Sequence, residues 1–397
     1  MHDAELFQTR VAMVQAFLRM REYDGVLLSR ADNFAMATGG RRNYVNVAAD
    51  GGASSLFINK EAKACFVGNN IERPRMMAEE LNGLMEEVRE FLWFEDSAAA
   101  VAQREFEGLL VSDDGSVGKN VHGEMSYLRS ILTQTEMDKY RRLGQLAAES
   151  LSETIASVES GQTEGDIAAR LIAEGAKRRC TVIVSLVAAD DRIGLYRHPL
   201  PTVEPLLGPV GGERKVRGYV MVVGVFRREG LVTAMTRFKR VGDIPAHIPG
   251  AYERVCGVDA LMQEATAPGK TLGDVFAVSQ QAYADLGFPE NEWHNHHQGG
   301  STGYAGRTAF GAPGADFPIL SAEWEQQFRE LAGITEPLGQ VFAWNPSAAG
   351  VKSEDTFLLL PSGQKEIVTA TPDFPQVDLS RVLGRATPVT KSGIIGC

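Results

Sequence analysis

Two apolar runs, GYVMVVGVFR (218–227) and GLVTAMTRFKRVG (230–242), constrain the fold of this chain more than any other stretch. Their β-branched and apolar content reads as two strands of a hairpin turning at Gly230. A third strand, TVIVSLVAA (181–189), precedes them, and two further strands are expected at 340–345 and 355–360. Helices are expected over 247–265 and 271–286. A glycine-rich segment (298–306) and an irregular stretch to about 337 lie between the two groups of strands. Strands placed before and after helices, instead of alternating with them, argue for an α+β domain with helices packed on an antiparallel sheet.

The first third reads differently. Residues 4–21 carry an apolar helical stripe at Leu6, Val11, Met13, Val14, Phe17, Leu18 and Met20. GVLLS (25–29), SSLFI (54–58) and ACFVG (64–68) are short apolar runs bounded by turn residues and read as buried strands, with a helix expected over 73–82. Alternation of this kind to about Leu128 makes one α/β domain. Between the two regions, 133–179 reads as a pair of helices. Thr133 or Thr135 caps the first, with Glu136 in its first turn, and Gly161 breaks it. Thr163, with Asp166 three residues on, opens the second.

Composition excludes several classes of function. The chain has 397 residues, enough for two or three domains, with 44% apolar and 23% charged residues and no low-complexity tract. A formal charge of −11 argues against nucleic acid or an anionic membrane as partner, and the Arg/Lys pairs at 41–42, 178–179, 227–228 and 239–240 are scattered. No apolar run approaches a membrane span. The N-terminus, with His2, Asp3 and Glu5, lacks the pattern of a signal peptide. Cys65, Cys180, Cys256 and Cys397 show no metal-binding spacing and read as reduced thiols, Cys397 being the candidate for an exposed one. These features predict a cytoplasmic protein.

Four segments carry a resemblance. LYRHPLPT (195–202), VVGVFRREGLVTAMTR (222–237), NHHQGGSTGYAGR (295–307) and VFAWNPSAAGVKSEDTFLL (341–359) are similar, in order and in strand context, to the catalytic frame of the creatinase/prolidase/methionine aminopeptidase superfamily, the pita-bread fold. DGVLLSRADNFAMATGG likewise resembles the strand, turn and helix of the N-terminal domain in creatinase and prolidase relatives. The resemblance implies an α/β domain over 1–130 and an α+β pita-bread domain over 131–397. It also implies a homodimer in which the N-terminal domain, near Arg41 and Arg42, closes the partner's site.

In the superfamily's metallopeptidases two Asp, one His and two Glu hold a pair of divalent ions. The matching positions here read Val223, Ala234, His297, Asn345 and Glu354. Two divalent ions facing Glu354 alone would leave about three uncompensated charges. At an effective dielectric of about 20, unit charges about 4 Å apart interact by roughly 4 kcal/mol, so such a deficit is prohibitive. His294 and His296 offer further nitrogens, but on an extended strand they face one way and His297 the other. No metal and no other cofactor is therefore expected.

Creatinase, on the same fold, works without a metal and uses a histidine as acid/base, and His198 in Arg197-His198-Pro199 stands at that place. Pro199 restrains His198 to an extended conformation, and a neutral imidazole near pH 7 both takes and gives a proton. His297 precedes Gly299-Gly300, which is expected to let a ligand approach the backbone closely. Glu354, on a central strand without metal, needs a cationic partner or substrate. The chain departs from creatinase at Thr236 and Asn345, where creatinase has glutamates. The resemblance thus implies a catalytic trio of His198, His297 and Glu354. Asn345, Tyr304, Arg307, Thr236 and Arg41 would then contact a small-molecule substrate; packing is the alternative for Asn345, and solvated charge for the arginines. The expected chemistry is metal-independent hydrolysis of an amide-, guanidine- or urea-like C–N bond. A catalytically inactive module binding peptide or protein is one alternative, and a metallopeptidase with rearranged ligands the other. The stretch 308–337 is expected to act as a lid.

Overall fold

The computed structural model describes residues 2–61, 64–202 and 214–396; Cys397 lies outside the described residues. The chain forms two compact units. The first runs to Glu136 and takes in Glu229–Leu231 and Ser321–Leu338; the second comprises Met137–Arg228, Val232–Leu320 and the chain from Gly339. Among the described residues no helix is long and apolar enough to cross a membrane. Cys65, Cys180 and Cys256 are free and buried.

The first unit is built on a mixed five-stranded sheet in the order Val88–Phe91, Cys65–Asn69, Gly51–Asn59, Gly25–Arg30, Leu110–Ser112. Its centre is antiparallel and both edge pairings are parallel. The helix His2–Met20 buries every apolar position of its stripe from Leu6 to Leu18, and only Met20 stays partly exposed. Against it packs Ala322–Ala332, a helix where the sequence pattern predicts an irregular stretch. Ser321 accepts from the Trp324 amide at its start, and Gly333, at φ +67°, ends it. Only Phe328 of that helix is buried, so its apolar stripe is too thin to read. The Ser321–Leu338 part of the proposed lid is therefore packed structure of this unit.

Arg10 and Glu136 anchor the first unit from inside. Both are fully buried, with Arg10 Nε and Nη2 at 2.6 and 2.5 Å from the two Glu136 oxygens. Arg10 also donates to the carbonyls of Leu128 and Ile131. The same carboxylate accepts from the Thr133 amide, 2.9 Å, which makes Thr133 the cap at the start of the Gln134–Ala156 helix.

In the second unit, Thr181–Ala189, Tyr219–Arg228 and Leu231–Arg240 form a three-stranded sheet. The first two pair antiparallel with Val223 opposite Leu186. A second sheet runs Ala309–Phe310, Gly299–Ser301, Gly339–Trp344, Asp355–Leu359, Lys365–Ile367, each neighbour antiparallel. The helices Ile248–Ala265 and Leu272–Asp285 cover these strands through two apolar clusters, one around Val223, Phe238 and Val255, the other around Phe342, Trp344 and Phe357. Thr163 and Asp166 close a reciprocal cap at the start of Glu164–Lys177. The two sheets meet through side chains. The Thr356 hydroxyl donates to the Ala234 carbonyl, 2.8 Å, and accepts from the Ala234 amide, 2.9 Å.

Removing one partner of a buried ion pair leaves the other charged and unsolvated. Arg10→Met is expected to lower the unfolding free energy by about 3–5 kcal/mol, and Arg10→Met with Glu136→Leu to recover part of that loss. Urea denaturation followed by circular dichroism checks this; equal losses in the single and double variants would contradict it.

Candidate functional site

Three imidazoles converge in the second unit. His198 is exposed and His296 is 7% exposed, yet their Nε2 atoms lie 3.1 Å apart. The ring of His297 stacks on that of His296 at 4.2 Å and stands 5.2 Å from that of His198. One nitrogen from each residue lies within 4.8 Å of the others. His294 is exposed and set edge-on against Trp293. The strand-alternation expectation thus fails, because the segment is not a strand. Glu292–Asn295 is a 3-10 turn entered through left-handed Asn291, and regular pairing begins only at Gly299. A period of two has no meaning across such a turn.

The local frame follows from a few bonds. Gln298, fully buried, donates to the carbonyls of Trp293 and His296 at 2.9 and 2.7 Å and accepts from the Tyr283 hydroxyl. Arg197, beside His198, pairs with Glu292 of the 3-10 turn. Gly299 sits at φ +93°, and a Cβ there would stand 2.3 Å from the Ala343 carbonyl oxygen; at Gly300 it would stand 2.1 Å from that of Ala309. The close approach that these glycines permit is therefore that of neighbouring strands.

Glu354 is 3% exposed and fully engaged. Thr236 Oγ1 donates to Oε2 at 2.7 Å, Arg307 Nη2 to Oε1 at 3.0 Å and Asn345 Nδ2 to Oε1 at 3.3 Å. Lys352 Nζ lies 3.7 Å from Oε2. The structure thus gathers Thr236, Asn345 and Arg307 on Glu354. Tyr304 is buried at 2% exposure, and Arg41 belongs to the first unit, where it pairs with Asp3 at 2.8 Å. The neighbouring Arg237–Asp355 pair, 2.7 Å and buried, is structural: Arg237 also donates to Thr236 O and Thr369 O.

Burial, the largest influence on Glu354, would raise its pKa, but Lys352 and Arg307 together hold it below the usual carboxylate range. Burial lowers the Lys352 pKa, and Glu354 only partly restores it because Arg307 opposes. Burial and then Lys352 push His198 down, and push His296 far down. Burial and then Arg307 bring His297 to about 4. All three rings are therefore neutral near pH 7, each with one basic nitrogen, and the His198–His296 bond occupies the lone pair of whichever of the two accepts.

Lys352 stands outside the sequence-derived candidates, and His296 enters them only as a further nitrogen for a metal. The signal for Lys352 is its place two residues before Glu354 on an extended segment, which puts both on one face. For His296 it is the H-x-H-H run. Buried atoms without a protein partner cluster here too: His296 Nδ1, Asn345 Oδ1 and Arg307 Nε. The positions matched to the superfamily's two aspartates lie elsewhere in character. Val223, 2% exposed, packs in the cluster with Leu186 and Phe238, and Ala234, 1% exposed, is clasped by Thr356.

No model of a protein family matches this sequence, and no curated protein matches it. Solved structures do. A recombinant prolidase from Thermococcus sibiricus superposes with a TM-score of 0.70 at 17% identity, covering 91% of this chain and 96% of that one. A dipeptidase from Pyrococcus horikoshii gives 0.69 at 16%, with 91% and 98% covered. The chain has the pita-bread fold. The N-terminal domain of the FACT complex subunit SPT16 from chickpea, Cicer arietinum, shares it more distantly, with a TM-score of 0.57 at 10% identity over 94% and 97%. At these identities the likeness speaks for the pita-bread fold alone.

Glu354→Gln would leave Lys352 and Arg307 facing each other without a counter-charge. The expected cost is about 3–5 kcal/mol, and Glu354→Gln with Lys352→Met should recover part of it. Urea titrations of the two variants check this; a Glu354→Gln protein as stable as the parent would show that the carboxylate is not the neutralising partner.

Proposed function

We propose that this pita-bread protein hydrolyses a C–N bond of a small amide-, guanidine- or urea-like molecule by histidine acid/base catalysis, without the superfamily's pair of divalent ions. The observation that carries the reading is the neutral His198–His296–His297 cluster beside a buried carboxylate flanked by two cations. The donor set does not fit two metals. Val223 and Ala234 offer no ligand atom, and the Asn345 amide is turned with its nitrogen to Glu354. Glu354 is already neutralised by Lys352 and Arg307.

His198 is the proton carrier in this reading. Its Nε2 shares one proton with His296 Nε2 across 3.1 Å. When His198 Nε2 donates, its Nδ1 carries the lone pair and acts as base; when Nε2 accepts, Nδ1 carries the proton and acts as acid. The pair can thus serve both halves of a hydrolysis, taking a proton from water and returning one to the leaving nitrogen. His297, with the positive potential of Arg307 and Lys352 behind it, is placed to favour a developing negative oxygen. Glu354, through Thr236 and Asn345, keeps that potential oriented. The homodimer, with Arg41 at the partner's site, belongs to the same reading. A second reading, a catalytically silent binding module, draws on the likeness to a subunit of a complex; turnover decides between the two.

The test is a thermal-shift screen of small amides, guanidines and ureas on chelator-treated protein, followed by an assay of released amine or ammonia. A stabilising compound is expected to be turned over by the metal-stripped protein. His198→Ala should then lower turnover by about 10²- to 10⁴-fold while keeping the thermal shift. Unchanged turnover in that variant would remove His198 from the mechanism. Elemental analysis showing two equivalents of Mn, Co, Fe or Zn that are lost on Glu354→Ala would restore the metal pair.

A further inference from the structure

We infer that His198, His296 and His297 form a three-nitrogen site for one borderline divalent ion of the Zn²⁺ or Co²⁺ type, which shares only His297 with the positions matched to the superfamily's metal pair. Three observations carry it. The ligand nitrogens already lie within 4.8 Å of one another. A tetrahedral zinc with Zn–N of about 2.0–2.1 Å sets its nitrogens roughly 3.3 Å apart, and His198 and His296 stand at 3.1 Å. The third is the buried His296 itself, 7% exposed, whose ring bonds no group outside the cluster: Nε2 faces His198 and Nδ1 has no protein partner.

The chemistry of the site selects the ion. Its donors are neutral imidazoles with no carboxylate among them, which suits zinc, cobalt or copper and gives magnesium, calcium or manganese nothing they prefer. Exposed His198 gives an ion a path in from solvent. The surroundings weaken the site. Arg197 is cancelled by Glu292, but Glu354 cancels only one of Lys352 and Arg307, which leaves one net positive charge beside the ion. Affinity is therefore expected in the micromolar range, short of that of a resident catalytic zinc. An ion on His198 takes the lone pair that its proton would use, so zinc binding and proton transfer exclude each other. Zinc would act as a reversible brake on the proposed reaction.

The inference rests on the same cluster as the proposed function, but its test needs no turnover. Chelator-stripped full-length protein is titrated with ZnCl₂ by calorimetry and with CoCl₂ by visible absorption. One equivalent of zinc, a four-coordinate cobalt spectrum and no heat with MgCl₂ are expected. His296→Gln and His198→Gln should each weaken zinc binding at least tenfold, the second being an exposed position that leaves folding intact. His294→Ala, against Trp293 and outside the cluster, should bind as the parent does. No binding up to millimolar zinc, or binding that His198→Gln leaves unchanged, overturns the site and leaves the proton role of His198 standing. A stripped protein that turns substrate over only after zinc is restored overturns the metal-free reading and the brake, and leaves the site standing.

Discussion

The second unit depends on a seam of side chains between the strands Leu231–Arg240 and Asp355–Leu359, which belong to different sheets. Thr356 grips both backbone groups of Ala234. Thr236 bonds the Glu354 carboxylate through its hydroxyl and the Glu354 carbonyl through its amide. Arg237 closes the seam on Asp355. Every polar group in it is buried, so each unmade bond would cost the desolvation of its donor or acceptor. The register of the two sheets is thereby set by side-chain bonds together with the backbone bond from Thr236 to Glu354.

That seam also delivers the site. Glu354 is at once a structural acceptor for Thr236 and the counter-charge of Lys352 and Arg307. A carboxylate so committed has little left to offer a pair of divalent ions, and its two cations raise the local potential instead. The imidazoles respond. Burial and the neighbouring positive charge keep His198, His296 and His297 neutral, and neutral rings can carry protons or bind one soft ion. A single electrostatic arrangement thus underlies both proposed uses of the cluster.

Parts of this were legible in the chain. The hairpin about Gly230, the Thr163–Asp166 cap and the apolar stripe of the first helix are local properties, and each formed as the pattern predicts. The Ala322–Ala332 helix was not legible, because one buried residue, Phe328, makes no periodicity. The frame around Glu354 was half legible. Thr236, Asn345 and Arg307 could be named from their places in the four segments, but their common bond to one carboxylate could not.

The sequence by itself determined which chemistry is present at each position: apolar side chains at 223 and 234, an amide at 345, and imidazoles at 198, 296 and 297. It also determined those strands and helices whose apolar faces repeat over a few residues. Only the tertiary structure decided which of these groups meet. His296 and His297 come together on a bend ahead of the strand that begins at Gly299, where the period of two that a strand assumes does not hold. Lys352 becomes a site residue because burial beside Glu354 and Arg307 gives its charge somewhere to act. Both outcomes depend on long-range packing and on the low dielectric it creates, and neither is encoded in local spacing.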